Sequence, residues 1–88
     1  MKLNVRAAAL TSAFVWGMLA MLWTSLVNII SPSYGREFLQ AVASIYPGYH
    51  ATASIGQVAV VTLYGLADGA IWGAAAAWLY NFLAGRIR

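Results

Sequence analysis

Two acidic side chains, one histidine and a few hydroxyls are the groups able to do chemistry in this chain. Their placement narrows what that chemistry can be. Asp68 is the only acidic residue inside either of two long apolar runs, at about 7–30 and about 53–84. A carboxylate in hydrocarbon is costly, so such a residue faces a bundle interior, a wetted path or a partner. Three roles follow for Asp68: hydrogen bonding between helices, handling of ions or protons along a path, and contact with a larger membrane subunit. No Lys or Arg sits at its depth. The donors the chain offers are the Trp16 indole and the Tyr64 hydroxyl one turn earlier, with a group on another subunit as the third candidate. Antiparallel pairing of the two runs sets Asp68 level with the stretch from Trp16 to Leu22.

The other reactive groups form no constellation. Glu37 lies outside both runs, too far along the chain from Asp68 to form a general acid/base pair. His50 stands alone, without the neighbouring carboxylates or thiols a metal site needs. Ser12, Thr24, Ser25 and Thr62 have no basic side chain beside them to activate a hydroxyl. There is no cysteine, and no phosphate loop, dinucleotide fingerprint or haem ligand within a run. The chain therefore reads as a non-enzyme with no cofactor and no metal.

Positioning Asp68 falls to a chain of 88 residues, 62% hydrophobic and 8% charged, where a soluble domain carries about 25% charged residues. So small a soluble domain would bury only about 60% of its surface. The bilayer is the expected solvent, and one membrane domain over 1–88 the expected organisation. Read as a helix, the first run covers about 36 Å, enough to cross a hydrocarbon core of about 30 Å with tilt. The second, at about 48 Å, must tilt or protrude. Between them, Ser31-Pro32-Ser33-Tyr34-Gly35 breaks the first helix. Phe38, Leu39, Val42, Ile45 and Tyr46 then recur at helical spacing, opposite Glu37, Gln40 and Ser44. That pattern predicts a short amphipathic interfacial helix in a loop over about 31–52; an ordered loop packed on the two spans is the alternative. The tyrosines of Tyr46-Pro47-Gly48-Tyr49 are expected at headgroup level. The fold class is all-α: a two-span transmembrane hairpin.

Gly65, Gly69 and Gly73 recur every fourth residue, and Ala77 extends them into a smooth ridge of the glycine-zipper kind. Lipid tails are as apolar as leucine, so membrane helices associate by close packing, and such a ridge admits another backbone. It can pack on the first helix near Gly17 or on another subunit. The surface two helices leave unused favours the subunit contact. Lys2, Arg6, Arg86 and Arg88 flank the runs at one end of the hairpin. They place both termini in the cytoplasm against lipid headgroups. Basic residues so dispersed do not suggest nucleic acid.

The start Met1-Lys2-Leu3-Asn4, the Val15-Trp16-Gly17 step, Tyr34-Gly35 followed by Phe38-Leu39, and Ser44-Ile45-Tyr46-Pro47-Gly48-Tyr49 form a set with two later segments. These are Tyr64-Gly65 with Asp68-Gly69, and Ala77-Trp78-Leu79-Tyr80-Asn81. Together they resemble a family of small bacterial two-span membrane proteins often labelled bacteriophage holins, otherwise a domain of unknown function. The resemblance covers nearly the whole chain. It implies an inner-membrane protein that self-associates, with an oligomeric pore as the product. The alternatives are a structural accessory subunit of a larger membrane complex, and an oligomeric ion or proton conductor using Asp68.

Overall fold

The computed structural model describes residues 2–52 and 54–87, and every regular element among them is helical. Helix α1 (Val5–Ile30) starts where the Asn4 side chain accepts the Ala7 amide at 3.0 Å, filling one of the unpaired donors of the first turn. Its middle, Phe14–Leu22, is wound wider, with π-type bonding; the Trp23 amide reaches the Met18 carbonyl. The helix ends at Ser31, which turns extended before Pro32. Asn28 fastens this turn, its amide donating to the carbonyls of Pro32 at 3.0 Å and Tyr34 at 2.9 Å. Gly35 then takes φ +65°, a left-handed conformation that suits glycine, and starts helix α2 (Arg36–Ala43). Helix α3 (Ile55–Arg86) begins at Ser54, whose hydroxyl accepts the Gln57 amide at 3.2 Å.

Helices α1 and α3 pair closely, and the glycine ridge is the reason. Gly65, Gly69, Gly73 and Ala77 are the buried line of α3 through the pairing. A Cβ at Gly65 would stand 2.9 Å from the Gly17 Cα, one at Gly69 2.9 Å from the Ala13 Cα, and one at Gly73 2.6 Å from the Ala8 carbonyl oxygen. The ridge is thus filled by the chain's own first helix at Gly17, Ala13 and Ala8. The ridge's close backbone contacts are made within the chain, which corrects the reading that favoured a subunit contact there. At the open end of the hairpin, Asn81 clips the two helices together. It accepts the Leu3 amide at 2.7 Å and donates to the Leu3 carbonyl at 2.8 Å. This clip sets the register, and Gly69 falls opposite Ser12 and Ala13. Asp68 is therefore level with Ser12 to Trp16, about one turn from the expected Trp16 to Leu22.

The connector does not extend the molecule. Its longest dimension is 49 Å, which the 32 residues of α3 fill alone at about 1.5 Å each. The connector instead folds back along the hairpin. Leu39 and Val42 of α2 join Tyr46, Tyr49, Met21 of α1 and Val61 of α3 in one buried cluster. The apolar stripe of α2 is spent on the chain's own helices, while Arg36, Glu37 and Gln40 stay exposed. Tyr46 and Tyr49 lie at 7% and 4% exposure, not at the surface expected of headgroup residues.

Helices α1 and α3 are both long and apolar enough to cross a membrane, and only 22% of each apolar window is buried. Their outward faces carry Leu10, Phe14, Leu19, Leu63, Ile71 and Trp72 uncovered. Lys2 and Arg6 share one end with Arg86, because Leu3 is bonded to Asn81. Arg88, the fourth basic residue of that end, lies outside the described residues.

The packing predicts that Gly69→Ala destabilises the hairpin by about 1–3 kcal/mol, since a methyl group there meets backbone that cannot move aside. Gly56→Ala, which adds its methyl to open space, should be neutral or slightly stabilising. Unfolding in mixed micelles, followed by far-UV circular dichroism, measures the difference. Equal stability of the two variants would contradict backbone contact at the ridge.

Candidate functional site

Asp68 sits on α3 one residue before the buried Gly69, so its side chain leaves the helix at the edge of the α1 seam. Side chains on a helix lean toward its N-terminus, which for α3 is the connector end. The carboxylate and the Tyr64 ring one turn earlier therefore lean toward the returning connector. Tyr46 meets them. Its hydroxyl donates to Asp68 Oδ2 at 2.8 Å and accepts the Trp16 Nε1–H at 2.8 Å. The three side chains form a directed chain, indole to phenol to carboxylate, drawn from α1, the connector and α3.

Aromatic packing fixes the phenol. The Tyr46 and Tyr64 rings stack with centroids 4.8 Å apart and planes 12° from parallel. The Tyr64 hydroxyl donates to the Pro47 carbonyl and so holds the turn that follows Tyr46. Phe38 presents its edge to Trp16 at 6.1 Å and 81°. Both ends of the Tyr46 side chain are thereby set: the ring by stacking, the hydroxyl by one donor and one acceptor.

The expected donors to Asp68 are corrected by this geometry. Trp16 reaches the carboxylate only through Tyr46, and Tyr64 bonds to Pro47 instead. Tyr46, expected at the headgroups, is the group that satisfies Asp68. The clue was its place on the apolar stripe of the connector helix, in line with Leu39 and Val42. Nothing in the local pattern named Asp68 as its acceptor. Asn81 and Asn28, which hold the two ends of the hairpin, were also missed, because each bonds to backbone and backbone partners leave no trace in residue type.

Burial is the largest influence on the Tyr46 phenol and pushes its pKa above the ordinary tyrosine range. The Trp16 donor opposes this, and the hydrogen bond to Asp68 and the carboxylate's charge add to the rise. Burial alone raises Tyr49. The remaining candidates stay apart. The His50 amide donates to Gln57 Oε1 at 2.7 Å with the residue otherwise exposed. Ser25 donates to the Met21 carbonyl at 2.6 Å. Glu37 is exposed in the first turn of α2. No group of three or more potential metal ligands occurs among the described residues. Near the open end, Arg86 lies over the Phe82 ring at 5.1 Å, and Phe82 stacks on Trp78 at 5.7 Å.

No family model matches the chain, and neither a curated protein nor a solved structure shows significant similarity to it.

Tyr46→Phe removes the hydrogen bond to Asp68 and the acceptor for Trp16, so it should cost about 1–3 kcal/mol. A double-mutant cycle with Asp68→Asn should show coupling of at least about 0.5 kcal/mol; additive losses would mean the contact is not made. The phenol also predicts a pH dependence. The folded chain holds this proton more tightly than the unfolded chain, so the stabilisation is complete below about pH 10. It is lost as pH rises through the higher folded value. The difference in absorbance titration at 295 nm between wild type and Tyr46→Phe should place this phenol above the ordinary range. A midpoint at the ordinary value would contradict the burial of Tyr46.

Proposed function

We propose that the chain is a small, self-associating membrane protein of holin-like type, seated in a bacterial inner membrane with both termini cytoplasmic. The observation that carries this reading is a groove beside the glycine ridge. Toward the open end, the α1–α3 seam widens into a cavity of about 720 Å³, with Ala7, Ala8, Thr11, Gly73, Ala76 and Ala77 among its lining. Those side chains are small, and the larger Leu3, Asn4, Val15 and Tyr80 are also in the lining. In lipid such a surface favours another helix, because close backbone approach gains dispersion contacts that mobile lipid tails make less well. Association through the groove leaves the Gly65 and Gly69 contacts with the first helix untouched, while Gly73 and Ala77 border both that contact and the groove. The basic residues at the open end support the cytoplasmic assignment of the termini. The uncovered apolar faces support burial in a bilayer rather than in a soluble core.

A second reading is favoured by one specific observation. Asp68 is hydrogen-bonded within its own chain, so the hairpin does not need a second copy to satisfy it. A closed unit of this kind also suits an accessory subunit docked on a larger membrane protein.

The test is the native mass of the particle in mild detergent, with disulfide cross-linking of an Ala76→Cys variant in membranes. The expected result is a homo-oligomer, cross-linked through the introduced thiol, that releases trapped dye when expressed. Ala76→Leu fills the groove and should lower association by roughly tenfold without unfolding the hairpin. Co-purification of larger subunits with no self-cross-link would favour the accessory reading. A monomer at membrane densities that cause no leakage would sink the holin-like one.

A further inference from the structure

Past the small-residue groove, the same seam opens into a second cavity, of about 320 Å³, lined by Ser12, Val15, Trp16, Asp68, Gly69 and Trp72. That volume is at the small end of the usual range for ligand sites, about 300–1,000 Å³. Its chemistry is selective. Tyr46 occupies one carboxylate oxygen, Oδ2, and among the described residues no other donor bonds to Asp68. The Trp16 N–H is committed to Tyr46, so Trp16 offers the cavity ring surface rather than that donor. Trp72, 67% exposed, stands one turn beyond Asp68 and supplies a second indole. The cavity combines an acceptor of negative charge with aromatic surface.

An anion entering it would meet the carboxylate. A neutral hydrocarbon would fill the volume but desolvate Asp68 without pairing it. A cation with an apolar body satisfies both walls, its charge against the carboxylate and its flank on the indoles. No cation among the described residues supplies that group. Lys2, Arg6 and Arg86 lie at the open end and Arg36 at the start of α2, and a second copy carries its cations at the same places. We propose that this cavity binds a small lipophilic ammonium ion, with its cationic head at Asp68 and its apolar part between Trp16 and Trp72.

The cavity shares Ser12 and Val15 with the groove proposed for self-association, so its test is built to keep the two apart. The full chain, labelled with nitrogen-15 and held in phospholipid nanodiscs, is titrated with benzylammonium and separately with neutral benzyl alcohol. The four indole N–H resonances are followed. Saturable shifts are expected at Trp16 and Trp72 with benzylammonium, with Trp23 and Trp78 still. Benzyl alcohol should give only unsaturated drift. Trp72→Leu changes an exposed side chain, leaves Tyr46 and Asp68 untouched, and should weaken binding by about tenfold. Asp68→Asn should abolish saturation. The Ala76→Leu variant should bind as wild type does, whatever its oligomeric state. Equal responses to the alcohol and the ammonium, equal shifts at all four indoles, or unchanged binding in Trp72→Leu would each overturn the proposal.

Discussion

The hydrogen bond from Tyr46 to Asp68 is the constraint the rest of the hairpin answers to. A carboxylate on an apolar helix has to be met by a donor, and leaving it unmet costs more than one ordinary hydrogen bond contributes. The donor comes from neither long helix. It comes from the connector, so the connector must return from the far end of α1 toward the middle of α3. That requirement explains the sharp stop at Ser31-Pro32, the left-handed Gly35 and the direction of α2. It also explains why the apolar face of α2 meets Met21 and Val61, because a segment that runs back along the hairpin must bury that face on it.

The glycine ridge and the carboxylate act together. Gly65 and Gly69 bring α1 so near that Trp16 and Asp68 come within the span of one phenol. A bulkier ridge would part the helices, and Tyr46 could then serve one partner and not both. The ridge is thus tied to the polar network as well as to packing. The wider winding of Phe14–Leu22 falls at this level and carries Trp16, Gly17 and Met21 toward the connector and α3.

Much of the architecture was legible in residue order, because it rests on local chemistry. Apolar run length marks α1 and α3, Ser31-Pro32 and Gly35 mark the break, and the spacing of Leu39 and Val42 marks α2 and its apolar stripe. The four-residue spacing of Gly65, Gly69 and Gly73 marks a close contact. What was not legible is which surfaces meet. A ridge of glycines looks the same whether it receives the chain's own helix or a copy's, and Gly17 alone did not decide between them. An amphipathic segment of eight residues looks the same on a lipid surface as on a protein one. Tyr46 was misplaced for that reason: a tyrosine suits a headgroup layer and a buried acceptor equally well, and only the path of the connector chooses. The register error of about one turn had a similar origin, since the Asn81 clip that sets it involves the backbone of Leu3.

The placement of Asp68 couples two parts of the molecule, the returning connector and the cavity beside the seam. One oxygen holds the connector through Tyr46, and the same carboxylate forms the polar wall of the cavity that opens from the seam. A charge brought to that wall draws electron density from the acceptor on which Tyr46 depends, and a stronger Tyr46 bond leaves less for the cavity. For the proposed cation, linkage makes the effect reciprocal: its binding would weaken the Tyr46 bond by the same free energy as that bond weakens its binding. The indole of Trp16 tightens this coupling, since it flanks the cavity with its ring and donates to Tyr46 with its nitrogen. A residue that supported packing alone would need only one of these contacts. The joint use of Trp16 and Asp68 by connector and cavity makes this seam the place where the connector's hold and the cavity's polarity are set together.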